Sequence, residues 1–159
     1  MDIRILYVGK IREKAFQGAI EEYAKRLSRY CRLSFFSVAD EKTPDGASAA
    51  LEDAIRTKEG ERLLSLIRER DYVIALDLKG EAPDSPALAA RLDELSVRGH
   101  SSLAFVIGGS LGLSGQVLDR ADWRLSFSKL TFPHQLMQVI LLEQIYRCFR
   151  IIKGEPYHK

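Results

Sequence analysis

The chain has 159 residues, of which 46% are hydrophobic and 29% charged, values typical of one globular domain with an ordinary core. No apolar run is long enough to cross a bilayer, the N-terminus lacks a signal peptide, and Cys31 and Cys148 form no CxxC pair. These features exclude integral membrane proteins and disulfide-stabilised secreted domains, so we expect a cytoplasmic protein with reduced thiols. The net charge of +2 hints only weakly at a polyanionic partner, since a mixed-charge surface explains it at least as well.

In the first half of the chain, apolar periodicity predicts two strands, each followed by a helix. The strands cover residues 3–8 and 33–38, where apolar residues cluster in short runs. The first helix carries one apolar stripe, formed by Phe16, Ala19, Ile20, Tyr23 and Leu27. The second helix is longer, carries apolar residues from Leu51 to Ile67, and contains Gly60 as a weak point in its middle.

The second half of the chain alternates strands and helices in the same way. Residues 72–78 and 103–107 form short apolar runs typical of strands covered on both faces, and a last strand is predicted at 123–127. Between the first two strands, Ser85 is the expected N-cap of a helix, Pro86 its first residue and Gly99 the residue just past its end. This alternation predicts an α/β domain with a mostly parallel sheet and flanking helices.

The last helix, predicted at 133–152, differs from the others because apolar residues lie on nearly all of its sides. Its charged residues Glu143, Arg147 and Arg150 fall on one narrow face. A helix of this kind needs cover from more than the sheet, and a domain of this size offers little further material. We therefore expect a homodimer, with a central helix of a monomer as the alternative.

The stretch FVIGGSLGLS places Gly108, Gly109 and Gly112 directly after a predicted buried strand. Ligands of α/β sheets collect at the carboxyl ends of strands, and glycines let a ligand approach the backbone. The GGxxG spacing matches neither a dinucleotide fingerprint nor a phosphate-binding P-loop. The glycines alone therefore favour a ligand loop and a ligand-free tight turn equally.

A second loop, FSKLTFPH, follows the strand predicted at 123–127 and is unusually apolar. If neighbouring strands bring both loops to one edge of the sheet, Phe127, Leu130 and Phe132 face the glycine backbone, and Leu76 completes the wall. Such a pocket suits a flat, neutral heterocycle such as adenine, and not a triphosphate, which needs fixed positive charge. The alternative is that the phenylalanines are ordinary core residues.

The remaining candidates for chemistry are the histidines and a tyrosine in the tail. His134 opens the last helix, whose positive end favours the neutral ring, and it is a candidate base, a ligand-orienting group or a structural histidine. Tyr157 and His158 offer a stacking face and a titratable group of the kind that single-stranded RNA recognition uses, although fraying is the more usual behaviour of a chain end. His100, His134 and His158 share no ligand spacing, so we expect no metal.

Several motifs together resemble one family closely. They are IGGSLGLS, the run LSFSKLTFPHQLMQVILLEQIYRCFRI, the segments VGK and LDLKG after the first and third strands, and the terminal PYHK. At these spacings the whole chain is similar to the SPOUT class of knotted methyltransferases, and within it to bacterial enzymes that modify 23S rRNA. The resemblance implies an α/β fold with a C-terminal trefoil knot, an exception to the general absence of knots in proteins.

The resemblance also implies an activity, partners and a site. The activity is the transfer of a methyl group from S-adenosyl-L-methionine to N3 of a pseudouridine in 23S rRNA on the assembled ribosome, by a homodimer and without a metal. The residues that match the family's cofactor pattern are Leu76, Gly108, Phe127, Ser128, Lys129, Leu130, Thr131 and Phe132. The residues that match those near the substrate base are His134, Arg147, Tyr157 and His158.

On this basis, His134 or His158 is expected to help remove the N3 proton, and Arg147 to offset the developing charge or to bind phosphate. A basic cluster for RNA, to which the partner subunit contributes, is expected from Lys10, Arg12, Lys14 and Arg29. Two alternatives remain open. One is a SPOUT enzyme that acts on another rRNA or tRNA base, and the other is a ribosome-binding factor without catalysis.

Overall fold

The computed structural model describes all 159 residues and contains five strands and five helices. In chain order they are β1 (Asp2–Val8), α1 (Lys14–Leu27), β2 (Arg32–Val38), α2 (Ala49–Leu66), β3 (Tyr72–Glu81), α3 (Ser85–Val97), β4 (Ser102–Ile107), α4 (Gly115–Arg120), β5 (Trp123–Leu125) and α5 (His134–Ile152). None of these helices has the length and apolar character needed to cross a membrane. The predicted α/β class is confirmed.

All five strands are parallel and lie side by side in the order β2-β1-β4-β3-β5. β4 is buried along its whole length, as expected for a central strand that helices cover on both faces. Because β4, β3 and β5 are neighbours and run in the same direction, the loops that follow them leave the same edge of the sheet. This carboxyl edge is where a ligand site is expected.

Side chains that alternate along the strands build a core on each face of the sheet. The larger core packs α1, α3 and α5 against residues such as Ile5 and Phe105, and the smaller core packs α2 and α4 against residues such as Leu6 and Val106. α5 contacts both α1 and α3 and therefore lies between them. α5 begins at the carboxyl edge of the sheet and runs back toward the opposite edge.

Two details of the second half differ from the sequence prediction. Asp84, not Ser85, is the N-cap of α3, since its carboxylate accepts a hydrogen bond from a backbone amide of the first turn. The Ser85 hydroxyl instead donates to Gln144, 2.8 Å away, and so connects α3 to α5. The last strand ends at Leu125, and residues 126–127 belong to the loop at the carboxyl edge.

The short helix α4 escapes prediction, because six residues are too few to show an apolar stripe. Its N-cap Ser114 lies against Gly60 of α2, where an added Cβ would be 2.2 Å from the Ser114 hydroxyl. α2 is continuous through Gly60, so the expected weak point does not interrupt it. The glycine instead lets the two helices approach closely.

Candidate functional site

A cavity of about 680 Å³ opens at the carboxyl edge of the sheet, where the second half of β3 and the loops after β4 and β5 meet the first turn of α5. Its apolar walls come from Leu76, Ile107, Phe127, Phe132 and Met137. The backbone of residues 108–112 forms another side. A cavity of this size accommodates a ligand the size of a nucleoside.

The structure brings together six of the eight residues that match the family's cofactor pattern. Leu76, Gly108, Phe127, Ser128, Thr131 and Phe132 line the cavity. Lys129 and Leu130 do not, and the expectation that Leu130 faces the glycine loop is wrong, because this residue is 69% exposed. The Ser128 hydroxyl accepts a hydrogen bond from the Leu130 amide and holds this turn with its apical residues outward.

Contacts inside the protein restrict Gly108 and Gly109, and the backbone angle favours glycine at position 112. An added Cβ on Gly108 would lie 2.6 Å from the carbonyl carbon of Gly112, and one on Gly109 would lie 3.1 Å from a Glu59 carboxylate oxygen. Gly112 has a φ of +82°, which favours glycine. The segment is therefore a tight turn, and the same turn presents its backbone to the cavity.

The charge lining the cavity is sparse. Asp77 is its one carboxylate and His134 its one imidazole, and no lysine or arginine lines it. Phosphate groups are recognised mainly by fixed positive charge, so this cavity favours a neutral or cationic ligand over a nucleotide phosphate. The sequence spacing of the histidines predicts no metal site. The structure contains no cluster of three or more side chains that could hold a metal ion.

His134 is the first residue of α5 and is half-buried at the cavity. Its neighbour Gln135 fixes the start of the helix, because the Gln135 side-chain oxygen accepts hydrogen bonds from the amides of Arg12 and Glu13 at 2.9 and 3.1 Å. The loop after β1 is thereby tied to the same corner. His134 thus has a defined position from which it can reach a ligand in the cavity.

The other three residues predicted near the substrate base form a separate cluster with Glu143. The Arg147 guanidinium pairs with Glu143 at 2.6 Å, lies 4.7 Å from the centre of the Tyr157 ring, and places one nitrogen 3.3 Å from His158 Nδ1. The Tyr157 hydroxyl donates to Glu143 at 3.1 Å. Glu143 is a functional residue that the sequence predictions do not include, although its i, i+4 spacing to Arg147 is a visible signal.

Two pKa shifts define what this cluster can do. Burial, reinforced by the hydrogen bond to Glu143, raises the pKa of Tyr157 to about 12. The hydrogen bond to Glu143 also raises the pKa of Arg147 above its ordinary value. At neutral pH, Tyr157 is therefore a hydrogen-bond donor and not a base, and Arg147 is a cation.

The four predicted catalytic residues do not meet within the chain. Arg147 follows His134 by thirteen residues of the same helix, which at about 1.5 Å per residue separates them by about 20 Å along the axis. Tyr157 and His158 lie with Arg147. A single nucleobase cannot contact both groups in one chain, because the two groups lie farther apart than the width of a base.

Two further expectations are corrected. The tail does not fray: the Tyr157 ring packs edge-on against Tyr146, with ring centres 5.0 Å apart. Lys10 and Lys14 are exposed near the start of α1, whereas Arg29 lies beyond its end, over the Tyr30 ring. Since α1 has fourteen residues, it holds Arg29 about 20 Å from the other members of the predicted basic cluster.

Comparison with known proteins places these features in context. A family model described as "Predicted SPOUT methyltransferase" matches residues 1–158. Proteins named "Ribosomal RNA large subunit methyltransferase H" from Clostridium kluyveri and Clostridium botulinum are each 57% identical to the chain, and the one from Clostridium acetobutylicum is 55% identical. Each of these alignments spans 159 residues and covers 100% of both chains.

Solved structures of similar fold share little sequence with the chain. The TrmH/SpoU tRNA modifying enzyme of A. aeolicus is 14% identical, with a TM-score of 0.49, and the match covers 95% of this chain and 77% of that one. A methylase family protein from Neisseria gonorrhoeae is also 14% identical, with a TM-score of 0.48 and coverage of 91% and 81%.

Proposed function

The chain belongs to the SPOUT methyltransferase family, and from that premise we propose that it methylates N3 of a pseudouridine in 23S rRNA on the assembled ribosome. It is a methyltransferase of large-subunit ribosomal RNA. The observation that carries this is the 57% identity, over the full length of both chains, to proteins named for that activity. Its site of action would be the cytoplasm, where ribosomes are found.

The cavity at the carboxyl edge is the proposed site of S-adenosyl-L-methionine. Leu76, Phe127 and Phe132 offer apolar contact to an adenine ring, and the backbone around Gly108 offers hydrogen bonds to its edge. Asp77 adds a negative charge that complements a ligand with two cationic groups, while no basic side chain is present to select phosphate. Once bound, this ligand supplies an electrophilic methyl group.

The proposed homodimer follows from the outer face of α5. Leu136 and Ile140 are only half-buried and lie outside the apolar core of the subunit. A two-fold axis perpendicular to α5 would set two copies of the helix antiparallel. The C-terminal half of one helix would then lie beside the N-terminal half of the other, and the cluster of Arg147, Tyr157 and His158 of the partner subunit would approach the cavity.

This arrangement assigns roles to the four candidate catalytic residues. N3 of the substrate must lose a proton so that its lone pair can attack the methyl carbon. The attack is in line with the sulfur–carbon bond of the methyl donor, which breaks as the nitrogen–carbon bond forms. His134 at the cavity, or His158 of the partner subunit, accepts that proton. Arg147 of the partner subunit offsets the negative charge that develops on the base, and Tyr157 donates hydrogen bonds and a stacking face.

The proposed RNA contacts lie at the same corner. Lys10, Arg12 and Lys14 are exposed, and the Arg12 amide is bonded to Gln135 next to His134. Their charges would meet phosphates around the target base. The proposal includes the trefoil knot, with residues 127–135 as the knot loop that leads into α5.

Transfer of a labelled methyl group from S-adenosyl-L-methionine to ribosomes tests the proposal. Two ribosome preparations that lack the methyl group are compared, one with the target pseudouridine and one with uridine in its place. We expect label in the first and little in the second. No label in either, together with measurable binding of S-adenosyl-L-methionine, would point to another RNA base or to a ribosome-binding factor without catalysis.

A further inference from the structure

The C-terminal tail is held to the body of the chain by contacts among three residues, of which Tyr30 lies far in the sequence from Arg150 and Glu155. The Glu155 carboxylate accepts hydrogen bonds from the Tyr30 hydroxyl and from the Arg150 guanidinium. Arg150 also donates to the Tyr30 hydroxyl at 3.2 Å and to the Pro156 carbonyl at 2.9 Å. The three side chains therefore close a ring of polar contacts beneath the tail.

Two members of this ring, Tyr30 and Glu155, are also held in place by contacts outside the ring. The Tyr30 ring stacks on Phe149, with centres 5.4 Å apart and planes inclined by 10°. Gly154 has a φ of +64°, and the Glu155 amide donates to the Arg150 carbonyl at 2.9 Å, so the backbone reverses at the end of α5. This turn brings Glu155 back over the helix instead of letting it continue into solvent.

The ring lies immediately before Tyr157 and His158. Arg150 holds the carbonyl of Pro156, the residue that precedes Tyr157, and the next contacts of the chain are those of Tyr157 with Glu143 and of His158 with Arg147. None of the three ring residues lines the cofactor cavity. An isolated exposed ion pair would contribute little, but a three-way contact with a backbone carbonyl restricts the direction in which the tail leaves.

We propose that Tyr30, Arg150 and Glu155 are positioning residues, a tail latch that sets the placement of Tyr157 and His158 for methyl transfer. This inference rests on the proposed function, in which the tail serves the reacting base. The latch acts through Tyr157 and His158 and touches neither the cofactor cavity nor His134. Its loss should therefore lower kcat while the affinity for S-adenosyl-L-methionine stays unchanged.

Tyr30→Phe in the full-length chain is the sharpest variant, because it removes only the hydroxyl and keeps the stacking on Phe149. We expect kcat for methyl transfer to fall about ten-fold or more, since small misplacement of a catalytic group costs this much. Trypsin cleavage after Lys153, followed by the loss of the six residues GEPYHK in mass spectrometry, should accelerate, while the affinity for S-adenosyl-L-methionine stays constant. Glu155→Gln should lower kcat in the same way.

Two control variants match these changes. Tyr72→Phe removes a hydroxyl from a tyrosine that packs against His100, and Glu94→Gln removes an exposed ion pair with Arg98. Both should retain full kcat and a protected tail.

Two results for Tyr30→Phe would overturn the latch as a positioning device. One is faster tail cleavage with undiminished kcat, and the other is a rate of tail cleavage equal to that of the wild type. A wild-type chain that binds S-adenosyl-L-methionine but methylates no ribosome would instead overturn the proposed function, and the catalytic role of the latch with it.

Discussion

Glu143 is the residue that organises the polar end of α5. Its carboxylate accepts hydrogen bonds from Arg147, from the Tyr157 hydroxyl and, at 2.6 Å, from the side-chain amide of Gln144. Gln144 in turn accepts the bond from Ser85, so that α3, α5 and the tail share one network. A carboxylate with this many donors holds Arg147 in one geometry, and after burial it is the main cause of the raised pKa of Tyr157.

The two cysteines allow a test of burial at single residues. Burial raises the pKa of Cys31 to about 11 and that of Cys148 to about 12. At pH 8 only about one thousandth of the Cys31 thiol is ionised, and the thiolate is the reactive form. We expect neither thiol of the folded protein to react with a disulfide reagent at pH 8, and both to react in denaturant, with free cysteine as the positive control.

The same shifts fix the sign of a pH effect on stability. Both thiols bind their protons more tightly in the folded than in the unfolded chain, where the pKa is about 8.5. Their contribution to the free energy of unfolding is complete below that value and is lost as the pH rises through about 11 and 12. Rapid reaction of one thiol in the folded protein at pH 8 would contradict this account.

At the scale of elements, the contact between α2 and α4 depends on the absence of a side chain. Gly60 lies in the middle of α2, where helix propensity disfavours glycine. An added methyl group would meet the Ser114 hydroxyl at 2.2 Å and a Val117 methyl at 3.3 Å. Close packing of α2 against α4 therefore outweighs the low helix propensity of Gly60.

This contact predicts opposite effects for two Gly→Ala substitutions in helices. Gly60→Ala should lower the free energy of unfolding by about 1–3 kcal/mol, because the added methyl group forces α4 away. Gly18→Ala is the matched control: Gly18 lies inside α1 with nothing within 4 Å of an added Cβ, so its substitution should raise stability by about 0.5–1 kcal/mol. Urea unfolding of both variants measures the difference, and a stabilised Gly60→Ala would refute the packing argument.

Elements of regular pattern could be located from the sequence, and elements defined by packing could not. The strands were predicted to within a few residues because their apolar runs are bounded by polar turns. α4 was missed, and Asp84 was passed over as an N-cap in favour of its neighbour Ser85. Both residues are good N-caps, and the choice between them depends on the Ser85 contact with Gln144, which lies 59 residues away.

At the scale of the whole molecule, the distance between His134 and the cluster around Arg147 makes the assembly part of the proposed mechanism. Each chain carries His134 and the cluster around Arg147 toward opposite ends of α5, so the two proposed halves of the site are separated within it. Two antiparallel copies of this helix would bring unlike halves together. Activity should therefore depend on residues from two chains.

Mixing two inactive variants tests this dependence. His134→Ala and His158→Ala should each lose most activity as homodimers, because one of these histidines accepts the N3 proton and the other contacts the same base in the proposed site. After subunit exchange at equal amounts, half of the dimers contain both variants, and each of these has one intact site, so that about a quarter of wild-type activity should return. If both histidines acted within one subunit, the mixture would stay inactive, and the composite site would be ruled out. Each variant exchanged with itself is the control.

The sequence by itself determined the fold class and the corner where the cavity lies. Apolar periodicity reports which neighbours along the chain share a buried face, and parallel strands must deliver their following loops to one edge. The loops around Gly108 and Phe127 were therefore expected to meet, and both line the cavity.

Only the tertiary structure decided the remaining features of the site. It placed Tyr157 and His158 beside Arg147, moved Leu130 to the surface, and folded the tail onto Tyr30, which lies 125 residues from Glu155 in the sequence. Such contacts leave no local pattern, because they depend on which surfaces the packed helices bring together after the sheet has formed. Periodicity describes neighbours in sequence, whereas the site and its latch are made by neighbours in space.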